Sequence, residues 1–319
     1  MRGQGLVLGP HADPRHRARW RTAERRVAAF DEVILHAPDA PLAAWFEDVV
    51  GPAVRPLKDL SGGAWRTRSP WPDAPSDPSR ESRKYRLTTE RGRYLLSFVG
   101  LDAAAEEKLE RARSLGRAGF APEPLALRHG FLLEPWIDGG APERREIVQA
   151  LGPYLAFRAS AFPAPHQGAT LSHLAAMARQ NLREALGEAA PDLGAWTERR
   201  LERIQAASRP VHIDGRLHRW EWLNGPGGVL KTDAVDHSQS HDLIGPQDIA
   251  WDVAGAVVEF DLSAAERSAL LTATPGDPEL CGFMTAAYLG FQVGWWSMAQ
   301  DPSGATQVAR YVEAARRLL

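Results

Sequence analysis

The alternation of apolar and polar residues divides the chain into an early part with strands and a later part with helices. Four short runs have the period of two that is typical of strands, and one charged segment, 102–116, has helical spacing. The strand-like runs span 84–87, 94–99, 122–127 and 131–137. From residue 141 onward apolar residues recur mainly at helical intervals, except in the segment 211–255. The pattern therefore predicts an early strand-rich unit and a later helical one.

Composition limits the class of protein. The chain has 319 residues, of which 44% are hydrophobic and 24% charged, enough for one large domain or two lobes. The net charge of −2 gives no basic field for nucleic acid or a membrane surface. The single cysteine, Cys281, excludes an internal disulfide framework. The opening residues lack the pattern of a signal peptide and no apolar run is long enough to span a bilayer, so we expect a cytoplasmic protein.

The segment 211–255 concentrates the residues that carry chemistry. It begins VHIDGRLHRWEWL, turns at NGPGG and continues VLKTDAVDHSQSHDLIGPQDIAWDVAG. Phosphoryl transfer needs one carboxylate that orients a hydroxyl nucleophile and acidic or amide ligands that hold magnesium. Carboxylates stand here on both sides of a predicted strand hairpin. Four histidines share the region, but they lack cysteine partners and helical spacing, which disfavours a zinc site; they are His212, His218, His237 and His241.

The order of these motifs resembles the aminoglycoside and choline phosphotransferase family, which has a protein-kinase-like fold. His212 and Asp214 match the family's His-Gly-Asp, and 217–218 match its Leu-His after a two-residue insertion at 215–216. The helix start that follows in the family is matched by Gly-Pro-Gln-Asp at 245–248 and Trp-Asp-Val-Ala at 251–254.

The resemblance implies an α+β, two-lobed, protein-kinase-like fold. It would place a small antiparallel sheet in the N-lobe, 41–137, and the catalytic loop in a mainly helical C-lobe, 138–319. Residues 1–40 would then be an N-terminal appendage.

The resemblance also implies catalytic and metal-binding roles. Asp214 would orient the acceptor hydroxyl, and His212 would belong to the same catalytic loop and pin it by side-chain hydrogen bonds. The Mg²⁺ ligands would be Glu221, where the family has Asn, and either Asp236 or Asp233. Asp236 is preferred because it follows an apolar residue, as the family's metal ligand does.

For ATP, the resemblance implies a glycine turn and a hinge strand. The turn contains Ser61, Gly62 and Gly63, whose amides can bind phosphate oxygens. The hinge strand carries Glu134 and Trp136.

One ATP-binding position departs from the family. Ser97 stands where the family has its ATP-binding lysine, and Lys84 or Arg86 on the neighbouring strand could supply the charge. A Pro/Ser-rich insertion, 69–82, separates the glycine turn from that strand and predicts a mobile loop.

Two functions remain open at this level. The first is an ATP- and Mg²⁺-dependent phosphotransferase that acts on a hydroxyl group of a small-molecule substrate. The second is a pseudokinase, a binding or regulatory protein without phosphoryl transfer, which the changes at Ser97 and Glu221 favour. The acceptor and the oligomeric state are not specified by the sequence.

Overall fold

The computed structural model describes residues 39–78, 80–101, 103–235 and 244–319. The first half contains short helices, one longer helix and five strands: α1 (Asp39–Ala44), α2 (Glu47–Val50), β1 (Lys58–Asp59), β2 (Lys84–Thr89), β3 (Gly92–Phe98), α3 (Ala103–Arg117), β4 (Ala126–Arg128) and β5 (Phe131–Pro135). A 3₁₀ turn, Ala64–Arg68, lies between β1 and β2.

The second half is mainly helical. Around the predicted catalytic segment the helices are interrupted by two two-stranded sheets and by a 3₁₀ turn, Arg219–Glu221. The elements of the second half are α4 (Arg144–Ala161), α5 (Leu171–Leu186), α6 (Glu198–Ala207), β6 (Pro210–Val211), β7 (Trp222–Gly225), β8 (Gly228–Lys231), β9 (Gln247–Asp248), α7 (Ala250–Glu259), α8 (Ala264–Ala273), α9 (Pro278–Ser297) and α10 (Ser303–Leu318).

The N-lobe is built on an antiparallel sheet with strand order β1-β2-β3-β5-β4. Because side chains alternate across a strand, one face carries Leu87, Leu96 and Leu133, which are buried together with Phe46 of the preceding segment. The opposite face carries Lys84, directly across from Ser97. This polar face looks toward the C-lobe and forms the roof of the interlobe cleft.

The C-lobe is organised around α9, most of whose residues are buried. This helix packs on α5, α7 and α10. A Cβ atom at Gly290 of α9 would lie 2.6 Å from the Cα atom of Ala178 on α5, so only glycine permits this close approach. None of the helices in the described ranges combines the length and apolarity that crossing a membrane requires.

The predicted fold class, a two-lobed α+β kinase-like fold, is confirmed. In the N-lobe, the predicted strand at 122–127 is shorter and later, at Ala126–Arg128, because Pro122 and Pro124 cannot donate to a strand ladder. The predicted appendage, 1–40, lies outside the described residues except for its last two positions.

Glu259 at the end of α7 connects α7, α9 and α10 with His218 of the predicted catalytic loop, 212–218. Its carboxylate accepts hydrogen bonds from the hydroxyls of Tyr288 (2.8 Å) and Tyr311 (2.7 Å) and from Arg310 (2.8 Å). The Nδ1 atom of His218 lies 3.3 Å from the same carboxylate. Burial alone would raise the pKa of Glu259, but the positive partners and hydroxyls hold it well below its usual value. The carboxylate is therefore charged and fixes the loop against the helices.

We expect Glu259→Gln to lower the free energy of unfolding by about 3 kcal/mol, because one charged acceptor serves several buried donors. Since the folded pKa is depressed, the contribution is complete above the unfolded pKa near 4.5 and is lost as pH falls below it. Urea unfolding from neutral to acid pH measures both effects. The exposed Glu313→Gln is the control, and equal losses in the two variants would contradict the prediction.

Candidate active site

A cavity of about 160 Å³ lies between the lobes. Its roof is the polar face of the sheet, with Ser97 and Glu134, and Trp136 follows at the hinge. Its floor is formed by the β7–β8 hairpin and the chain after it, including Leu223 and Asp233. Apolar side chains from α3, the sheet and the floor supply most of the remaining wall.

The roof and floor are joined by an ion pair. Lys84 Nζ lies 2.9 Å from the Asp233 Oδ2 atom, and both side chains line the cavity. Ser97 is buried beside Lys84. The sheet register therefore places a cation next to the position at which the family resemblance expected one, on the neighbouring strand.

Asp214 lies in the loop after β6 and is only 1% exposed. Its carboxylate accepts a hydrogen bond from the Tyr154 hydroxyl, and Arg158 on the same helix lies 3.8 Å away. Burial, together with the nearby Asp214 charge, raises the pKa of Tyr154 well above its usual value, so the phenol remains a donor. The predicted catalytic base is thus enclosed by protein groups.

Lys231, the last residue of β8, is the central cation of the site. Its ammonium lies 2.8 Å from Glu221 Oε2 and 3.3 Å from Asp214 Oδ1, and the residue has no exposed surface. Burial alone would lower the pKa of Lys231, but the Asp214 and Glu221 carboxylates raise it above its usual value. A fixed positive charge therefore bridges the predicted base and a predicted metal ligand.

The predicted catalytic loop, 212–218, is held by backbone contacts. Asp252 of α7 accepts the N–H groups of Asp214 (2.7 Å) and Gly215 (2.9 Å). His212 is held through its backbone: its N–H donates to the Phe162 carbonyl, and its own carbonyl accepts from Arg158. The predicted side-chain bonding differs, since the buried Nδ1 atom of His212 has no hydrogen-bond partner among the described residues. Burial, the largest cause, lowers the pKa of His212 to about 4, so the imidazole is neutral at neutral pH.

The glycine turn does not line the cavity. Ser61 donates its backbone N–H to Asp59, and Gly63 donates its N–H to the Glu81 carboxylate at 2.8 Å. The predicted nucleotide-binding residues are therefore separated: Ser97, Glu134 and Trp136 share the cavity, whereas the turn contacts acidic side chains of this chain.

The predicted magnesium ligands do not form a site for a divalent cation in the part of the chain that the structure describes. Glu221 is bonded to Lys231 and Asp233 to Lys84. No group of three or more His, Cys, Asp or Glu side chains within the described ranges is arranged to hold a metal. A hard cation needs several oxygen ligands, and an ammonium beside them opposes its entry. Asp236 lies outside the described residues.

Solved structures share this architecture. Choline kinase LicA from Streptococcus pneumoniae, in complex with AMP, matches with a TM-score of 0.53 and 14% identity over 89% of this chain and 99% of that one. Spectinomycin phosphotransferase APH(9)-Ia, in complex with ADP and spectinomycin, matches with a TM-score of 0.52 and 12% identity over 87% of this chain and 98% of that one. Macrolide 2'-phosphotransferase MphH from Brachybacterium faecium matches with a TM-score of 0.50 and 15% identity over 88% of this chain and 97% of that one.

These likenesses show that the chain has the fold of small-molecule phosphotransferases, as the motif order predicted. No protein-family model matches the sequence, and no curated protein matches it at a significant level. The shared fold extends over most of the chain, but identities this low leave the chemistry to be argued from the site itself.

Sequence reasoning missed the residues that enclose Asp214. Lys231 ends the strand Gly-Val-Leu-Lys, a position at which an exposed lysine is common, so no local signal marks it as buried. Tyr154 and Arg158 stand four residues apart on α4, which places them on one helix face. Their common target, Asp214, is 56 or more residues away along the chain, so only the folded structure brings them together.

We expect Lys231→Met to lower the free energy of unfolding by about 3–5 kcal/mol, because it leaves two buried carboxylates without their cation. Adding Glu221→Leu should recover part of the loss, since one of those charges is then removed. Chemical denaturation of the single and double variants measures the coupling. Lys58→Met, on the edge strand β1, is the matched control; a double variant no more stable than Lys231→Met would contradict the prediction.

Asp252 predicts a pH dependence of opposite sign to that of Glu259. Burial and then the Asp214 charge raise its pKa from 3.8 to about 6. Between those values the folded state binds more protons than the unfolded state, so stability falls as pH rises. Relative to Asp252→Asn, the native protein should lose about 3 kcal/mol between about pH 4 and about pH 7. Urea unfolding of both proteins across that range measures this, and parallel profiles would contradict it.

Proposed function

We propose that this protein binds a small molecule of the adenine nucleoside class in the interlobe cleft and does not transfer a phosphoryl group. The observation that carries the proposal is the position of the Lys231 ammonium between Asp214 and Glu221. A general base must reach the proton that it removes. Asp214 is instead saturated by internal donors and hidden from the cleft.

The cavity supports the binding half of the proposal. Its wall is mostly apolar, and the hinge strand adds Glu134 and Trp136 at one side, an arrangement suited to a planar heteroaromatic ring. Two solved structures with the same fold were obtained with AMP or ADP. We infer that the cleft of this chain takes the adenosine part of such ligands, while the predicted ligands within the described ranges, Glu221 and Asp233, are paired with lysines and do not fit Mg²⁺.

An ATP-dependent phosphotransferase is the second candidate. Asp252 holds the loop that carries Asp214 in place, as a catalytic loop requires. For transfer to occur, Lys231 would have to leave Asp214, and Asp236 would have to complete a metal site.

Calorimetry with adenosine, with and without Mg²⁺, tests the proposed binding. We expect Mg²⁺-independent binding that Leu223→Trp weakens by about tenfold or more, because the larger ring fills the cavity floor. Asn224→Trp, an exposed neighbour on the same strand, is the matched control and should bind normally. Absence of adenosine binding, or equal effects of the two variants, would overturn the cleft assignment.

The same protein assayed for ATP consumption with a panel of small hydroxyl and amino compounds separates the two candidates. We expect no turnover, since the base is buried and two of the predicted metal ligands, Glu221 and Asp233, are paired with lysines. Turnover that requires Mg²⁺ and is lost in Asp214→Asn would establish the phosphotransferase instead.

A further inference from the structure

The insertion at 69–82, here called the strap, contacts both lobes. The indole N–H of Trp71 donates to the Trp222 carbonyl at 3.1 Å, and the Arg219 guanidinium lies 4.5 Å from the centre of the Trp71 ring. Arg80 donates to the Trp295 carbonyl at 2.7 Å. Composition predicted a mobile loop, but these contacts reach across the cleft to the C-lobe. These contacts fix the strap, so that one of its side chains is held at the glycine turn.

That side chain is Glu81. Its Oε2 atom accepts the N–H of Gly63 at 2.8 Å. Its Oε1 atom accepts the indole N–H of Trp65 at 3.0 Å and the Ser76 hydroxyl at 2.6 Å. Three donors from three kinds of group thus converge on one carboxylate, as they would on a bound anion.

The backbone of the turn is shaped for this contact. Gly63 has a φ of +82°, in the left-handed region, and a Cβ atom there would lie 2.7 Å from the Ser76 hydroxyl oxygen. Exposed amides of such turns bind anions because their N–H dipoles converge. In this chain the amide of Gly63 is already directed at Glu81, so a phosphate group could use it only after the carboxylate had moved.

We propose that the Glu81 carboxylate occupies the anion-binding position of the glycine turn. The turn borders the cavity through its flanking residues Leu60 and Trp65. The cleft consequently selects adenosine over ligands with a phosphate chain. The ligand preference rests on the proposed function, whereas the occupancy of the turn does not. A bound phosphate chain would lose the Gly63 donor and would meet a carboxylate of like charge.

The lysines of the site support the same selection. Lys84 is paired with Asp233, and Lys231 with Asp214 and Glu221. A phosphate chain would have to compete with these carboxylates for each ammonium. Both the amide donor and the two lysines are therefore already engaged by acidic side chains of this chain.

The test compares native protein with Glu81→Gln, and with Glu90→Gln as the matched control in the exposed β2–β3 turn. The probes are inorganic tripolyphosphate and adenosine, measured by calorimetry. We expect Glu81→Gln to bind tripolyphosphate at least about tenfold more tightly than the native and control proteins, because the repelling charge is removed from the donors. Adenosine should bind all three proteins equally. Equal tripolyphosphate affinities in the three proteins would overturn the occupancy of the turn.

Two further measurements keep the outcomes separate. Glu81→Asp keeps the repelling charge but shortens the side chain, which withdraws the carboxylate from the Gly63 N–H. It should therefore bind tripolyphosphate more tightly than the native protein but less tightly than Glu81→Gln. It also provides a test if Glu81→Gln fails to fold, and no gain in a folded Glu81→Asp would count against the occupancy. The native protein should bind adenosine more tightly than ATP, and the reverse order would overturn the ligand preference. If neither the native protein nor any variant binds adenosine while Glu81→Gln gains tripolyphosphate affinity, the proposed function is wrong, but the assignment of Glu81 to the glycine turn is supported.

Discussion

The bridge from Lys231 to Asp214 and Glu221 is the interaction on which the site depends. A buried ammonium is costly unless carboxylates surround it, and here two do so within 3.3 Å. The same carboxylates would repel each other without it. These three charges join β8, the loop that carries Asp214 and the turn before β7 into one unit. Within this unit the three charges satisfy one another internally.

The surrounding scaffold maintains this unit independently of phosphoryl transfer. Asp252 fixes the loop through its backbone, and Glu259 fixes it through His218 and the closing helices. These contacts need only a well-packed C-lobe, so they persist whether or not Asp214 can reach a substrate. A shared fold with choline kinase and antibiotic phosphotransferases is therefore compatible with a different use of the cleft.

The two ends of the cleft follow one electrostatic principle. At the catalytic end a lysine stands beside the residues expected to bind a metal, and at the glycine turn a glutamate accepts the amide expected to bind phosphate. Lys231 carries the positive sign of the metal ion that was expected there, and Glu81 carries the negative sign of the expected phosphate. The combination leaves the apolar part of the cavity, beneath Ser97 and beside Trp136, as the part best suited to a ligand.

The sequence by itself determined the order of strands and helices and the kinase-like fold class. The order of elements follows from local periodicity. The fold class was implied by the resemblance of motifs, such as the one around Asp214, whose residues are close together in the chain. Only the tertiary structure decided the state of the site. Lys231, Tyr154 and Asp214 come from different elements, and Glu81 meets Gly63 across the strap. Whether a charge is free or paired depends on such long-range contacts, which no local pattern encodes.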